Sequence, residues 1–159
     1  MVRLDRRPGH PPTPQGRRWP RSIVVALLSA HVFVFLALTL AYSNPATPGP
    51  LPHAHRLNLR PFRNIAHGVV HGGDSLRVNV IGNVVVTLPL GAAILVLGGS
   101  RARLRHAALA GLALSATVET LQFWSQRRFT DVDDVILNTL GAALGFLAAA
   151  VFRRAWRHS

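Results

Sequence analysis

Between Ser22 and Tyr42 run 21 residues, SIVVALLSAHVFVFLALTLAY, without a single Asp, Glu or Arg. A helix that crosses the hydrocarbon core of a bilayer needs roughly 20 such residues, so the block predicts a transmembrane helix. A secretory signal is the competing reading, because Arg17, Arg18 and Arg21 precede the block and Ala41-Tyr42-Ser43 could serve as a cleavage site. Signal cores run only about 7 to 15 residues, and the length decides for a span. Three more apolar blocks follow, over residues 78–97, 106–124 and 134–152, each near spanning length although each carries polar residues. The expected fold is all-α: an integral membrane bundle of about four transmembrane helices, with no internal repeat and no soluble second domain.

A hydrophobic fraction of 49% would also suit a soluble protein; its segregation into blocks is what distinguishes this chain. The formal charge of +12 is carried by 18 arginines and no lysine, and these lie outside the blocks or at their ends. That placement reads as topology information, not as a nucleic-acid footprint, and no nucleic-acid partner is expected. With both termini in the cytoplasm, inner segments hold twelve arginines and outer segments six, the orientation that the positive-inside rule selects. Residues 1–21 then form a disordered basic cytoplasmic tail, 22–42 the first span, 43–77 an outer loop and 153–159 a second basic cytoplasmic tail. The absence of cysteine excludes disulfides, thiolate metal sites and a cysteine nucleophile.

In this orientation the second and fourth helices begin at the outer face and the third ends there. At a rise of about 1.5 Å per residue, their polar residues fall at one depth. Asn79 and Asn83 lie near the start of the second helix, Ser115, Glu119 and Gln122 near the end of the third, and Asp134 and Asn138 open the fourth. Glu119 is the most informative, because a carboxylate within a span costs on the order of 2.5 kcal/mol or more and seldom faces lipid. Its candidate partners are Asn79, Asn83, Asn138, Arg127 and Arg128. Two readings stand side by side: a solvent-open binding pocket, or polar glue that fixes helix register.

The loop from Arg127 to Asp134 places Asp131, Asp133 and Asp134 directly at a helix start. Capping and pairing with the dipole or with arginine explain acids there. Three acids exceed what capping requires, and a divalent cation held by their oxygens is the weaker alternative. His53, His55, His67 and His71 share the first outer segment, but Gly68 stands where a zinc-protease helix would carry Glu, so an exposed loop explains them better than zinc. Phe62, Ile65 and Val69 at helical spacing place a short interfacial helix on the outer leaflet. Gly141 and Gly145 form a G-x-x-x-G pair that lets helices approach closely, either within the chain or across a homodimer. Pro89 in the second helix is expected to kink it and open room in the bundle.

Several of these residues fall in stretches with a family pattern: Asn58-Leu59-Arg60-Pro61-Phe62-Arg63-Asn64-Ile65, then Asn79 with Gly82-Asn83 through Pro89-Leu90-Gly91, then Glu119-Thr120-Leu121-Gln122, and finally Arg127 through Asp134 with Asn138-Thr139-Leu140-Gly141. In this order, over residues 57–152, they resemble the VanZ-like family of bacterial membrane proteins. Thr87-Leu88 before the proline departs from the large apolar residue common there. The resemblance implies a multi-span protein of the bacterial cytoplasmic membrane, in a family whose founding member is associated with teicoplanin resistance. The family leaves the biochemical mechanism open.

Four classes of function follow. The first is a binding or accessory protein whose outer polar pocket (Asn79, Asn83, Glu119, Gln122, Arg127, Asp131, Asp133, Asp134, Asn138) engages a membrane lipid, a lipid-linked envelope molecule or a lipoglycopeptide tail. The second is a membrane enzyme on an envelope lipid with Glu119 as general acid or base, although no serine, cysteine or histidine stands at catalytic spacing. The third is a small ion-coupled carrier, and the fourth a membrane scaffold. No cofactor is expected.

Overall fold

The computed structural model describes residues 20–41, 57–63, 65–66, 80–125 and 130–156. Among them are four helices: α1 (Arg21–Ala41), α2 (Gly82–Gly98), α3 (Leu104–Ser125) and α4 (Val132–Trp156). α1, α4 and α2 with its C-terminal turn are long and apolar enough to cross a membrane. α3 has 22 residues, enough to span, but Arg105, His106, Glu119 and Gln122 dilute its apolar character. The chain is a mostly helical membrane protein, as its blocks predict.

Each boundary has a local cause. α2 ends at Gly99, whose φ of 56° suits glycine alone among residues without strain, and whose N–H returns to the Leu95 carbonyl. α4 opens two residues earlier than its apolar block, because Asp131 caps it: the Asp131 Oδ1 accepts the Asp133 N–H at 3.0 Å. Asp133 and Asp134 in the first turn and Arg153 and Arg154 in the last both complement the helix dipole, which carries α4 past Phe152 to Trp156.

The interior is unlike that of a soluble bundle. Thr87, Ser115, Glu119, Gln122, Asp131, Asp133 and Asn138 are buried, whereas Leu27, Phe33, Leu38, Leu109, Trp124, Val151, Phe152 and Trp156 are exposed. Lipid tails are as apolar as leucine, so burying leucine yields little; small residues and internal hydrogen bonds hold the helices together instead. α4 lies along α2 through Gly91, Gly141 and Gly145. A Cβ added at any of the three would collide with backbone of the facing helix. The G-x-x-x-G pair therefore serves packing inside the chain, and its face is covered. Pro89 is exposed within α2, and the helix runs through it from Gly82 to Gly98. An outward proline leaves the inner face free for this close approach.

α1 sits at the periphery, with almost all of its spanning stretch outward. One polar tie reaches from its centre: the His31 Nε2 lies 2.6 Å from the Val86 carbonyl of α2, an acceptor that requires the ring nitrogen to donate. Interhelical hydrogen bonds in membranes average about 0.6 kcal/mol and reach about 1.7. His31→Leu is accordingly expected to lower stability against denaturing detergent by about 1 kcal/mol while leaving α2, α3 and α4 assembled, read by cross-linking of α1 to α2.

Candidate functional site

The starts of α2 and α4 and the end of α3 meet at one end of the bundle. Between α3 and α4, Thr130-Asp131 forms a two-residue strand, β2, paired in parallel with β1, Leu57-Asn58, in the register Leu57 to Thr130 and Asn58 to Asp131. The segment after β1 thereby becomes a strap over this end. No periodicity marks strands two residues long, and the sequence carries no signal for this pairing other than Asn58 within a family-like stretch.

The polar residues are brought together much as their depth predicts. Asn83 Nδ2 donates to Asp134 Oδ1 at 2.6 Å, joining α2 to α4. Asn138 Nδ2 donates to Ser115 Oγ at 2.9 Å, and Ser115 Oγ donates to the Asp134 carbonyl at 3.4 Å, joining α3 to α4. Glu119 is 6% exposed, and its Oε2 accepts the Asp131 N–H at 2.8 Å. The Thr130 hydroxyl donates to the Glu119 carbonyl at 3.2 Å, so β2 is held by both the side chain and the backbone of one residue. Gln122 is buried one turn further on. A backbone N–H of β2, outside the set of amides and guanidiniums considered from sequence, is thus a partner of Glu119. Asn79, Arg127, Arg128, His53, His55, His67, His71 and Val69 lie outside the described residues.

The three aspartates have separate tasks. Asp131 Oδ1 caps α4 and also accepts the Asn58 Nδ2 at 3.0 Å. The Asp133 carboxylate accepts the N–H of Phe62 on Oδ1 and that of Ile65, at 3.4 Å, on Oδ2. Asp134 turns to Asn83. Among the described residues no group of three or more acids or histidines converges as a cation site. Among the described residues Asp131 caps α4, and Asp133 caps the strap in place of its own helix.

Beside this network Leu57, Glu119, Thr120, Phe123 and Thr130 line an open cavity of about 220 Å³. Asn138 Oδ1 is buried and has no hydrogen-bond partner among the described residues. An unmet buried acceptor in a polar cluster is a feature that calls for an occupant such as water or a ligand group.

An apolar exterior, a polar interior and a strapped polar end define a small multi-helix membrane protein. The chain matches the VanZ/LLP1 family over residues 23–153 and belongs to it. The match reaches from α1 to α4 and so extends beyond the stretches that carry the resemblance in sequence. No curated protein and no solved structure is significantly similar to the chain.

Proposed function

We propose that this protein is an accessory factor of the bacterial cell envelope, seated in the cytoplasmic membrane with both termini inside. Its polar end opens to the outer leaflet and binds a lipid-linked envelope molecule or the lipid tail of a lipoglycopeptide. A contribution to resistance against teicoplanin-type glycopeptides is the expected cellular consequence. The observation that carries this reading is the cavity beside Glu119, whose apolar Leu57 and Phe123 adjoin the Thr120 and Thr130 hydroxyls, so that one space offers a wall for a chain and acceptors for a headgroup. Arginine counts support the outward orientation.

The bond from Glu119 to the Asp131 N–H favours a second reading in which the carboxylate is glue for β2 and the protein a scaffold. One experiment tests the first reading. A deletion strain is complemented with the wild type or with Glu119→Ala, membrane levels are matched, and susceptibility to teicoplanin and to lipoglycopeptides is measured. Protection by the wild type that Glu119→Ala loses at equal abundance is the expected result. Equal protection by both overturns the pocket reading and leaves the scaffold.

A further inference from the structure

The strap makes a bend whose chemistry the polar cluster does not use. Arg60-Pro61-Phe62-Arg63 is closed by the Arg63 N–H donating to the Arg60 carbonyl at 3.4 Å, with proline at the second position and Phe62 at the third at φ 63°. This is the pattern of a type II turn, in which the third position is ordinarily glycine. A bulky residue held at positive φ costs on the order of 1 kcal/mol or more and persists only where its surroundings impose it. Here the surroundings are known. Asp133, 2% exposed, accepts the Phe62 and Ile65 N–H groups, Asn58 Oδ1 accepts the Arg60 N–H at 3.2 Å, and the Ala66 N–H returns to the Phe62 carbonyl at 2.8 Å.

This anchoring produces a corner with two exposed arginines, Arg60 and Arg63, and two exposed apolar side chains, Leu59 at 67% and Phe62 at 58%. Asp133 lies in the first turn of α4, one of the apolar spanning helices, so the corner is fixed where a span leaves the hydrocarbon. A strained phenylalanine that contributes so little to the core has its use outside the protein. Guanidinium groups match phosphate oxygens, and aromatic rings sit at the headgroup level of a bilayer.

We propose that the Arg60–Arg63 turn is a binding site for the phosphate of an anionic phospholipid, with Leu59 and Phe62 in the adjoining acyl region and Asp133 as the positioning residue. Two arginines at one point favour a net-negative headgroup over a zwitterionic one. The exposed apolar pair commits the site to a lipid and not to free phosphate. Leu59, Arg60, Phe62 and Arg63 are not among the residues that line the cavity beside Glu119.

The test uses the purified full chain in neutral detergent, titrated with chain-labelled phosphatidylglycerol or phosphatidylcholine, with binding read from quenching of tryptophan fluorescence. The wild type prefers phosphatidylglycerol, and Arg60→Gln with Arg63→Gln reduces that preference roughly thirtyfold, the scale of two arginines at an anionic surface. Phe62→Gly relieves the backbone, so its thermal midpoint stays level or rises, yet it weakens binding of both lipids. Soluble glycerophosphate competes poorly. Three results overturn the proposal: an unchanged preference in the folded double arginine variant, unchanged binding by Phe62→Gly, or competition by glycerophosphate as strong as by the lipid. Because the arginine and Phe62 variants leave every residue that lines the cavity in place, and lipid preference is read apart from glycopeptide susceptibility, failure of this site and failure of the envelope-ligand reading are separately visible.

Discussion

Gly145→Ala is expected to destabilise the bundle by about 3 kcal/mol or more, at the upper end of what overpacking usually does, although helix propensity predicts the opposite sign. Replacing glycine by alanine inside a helix stabilises it by roughly 0.5 to 1 kcal/mol when nothing stands in the way. At Gly145 the new methyl would meet the Leu88 carbonyl and Cα of α2, and at Gly91 it would meet the Ala142 carbonyl and the Phe146 nitrogen of α4. Backbone cannot rotate aside as a side chain does, so the helices must separate along their whole contact. Gly111 is a milder case, since its nearest neighbour would be the Ala142 Cβ at 2.8 Å. Gly82 is the control, with nothing within 4 Å of an added methyl. Unfolding of the purified protein in mixed micelles, followed by circular dichroism, should rank Gly82→Ala as neutral to slightly stabilising, Gly111→Ala as intermediate, and Gly91→Ala and Gly145→Ala as severe. Equal stability of Gly145→Ala and Gly82→Ala would mean that close backbone approach at Gly145 does not hold α2 to α4.

These helices are legible in the sequence because lipid makes a simple demand, about 20 apolar residues with every backbone group satisfied internally. Three of the four blocks meet it and the third, diluted by its polar residues, meets it in length alone, while the tight basic turn and G-x-x-x-G pair follow by the same physics. Shared depth also anticipates that Asn83, Ser115, Asp134 and Asn138 assemble, since one turn of helix places them at a common level. Depth does not say which donor meets which acceptor. The partition of Asn83 to Asp134 and of Asn138 to Ser115 depends on the rotation of each helix about its axis, which packing at Gly91, Gly141 and Gly145 sets between α2 and α4 and packing at Gly111 sets between α3 and α4. His31 stands openly at the centre of an uncharged block, yet its bond to Val86 depends on where α1 docks. The strap is hidden for another reason. Its two-residue strands and left-handed Phe62 arise from contacts 68 to 73 residues apart, and no local pattern encodes such a separation.

Those distant contacts make Asp133 the second position where a single change has a large effect. Asp133→Leu is expected to release the strap while α4 remains intact, because the helix cap is the Asp131 carboxylate and not Asp133. The leucine fills the space but accepts nothing, which leaves the Phe62 and Ile65 N–H groups without the carboxylate that each now meets. A buried donor left unsatisfied costs about 1 to 3 kcal/mol, and the strap relieves that cost by opening to water. Phe62 then loses what holds it at positive φ and relaxes, removing the strain and the turn together. Hydrogen exchange gives the direct reading: protection at Phe62 and Ile65 should fall by thirtyfold or more, roughly the equivalent of 2 kcal/mol, while α4 amides beyond the first turn keep theirs. Asp131→Ala should show the reverse emphasis, with fraying at the start of α4 worth about 1 kcal/mol. Asp133→Asn, which keeps one carbonyl acceptor, should lie between wild type and leucine. Loss of protection along the whole of α4 in Asp133→Leu would place Asp133 in the helix start itself. Loss confined to the strap assigns this acid to holding the strap against a membrane helix.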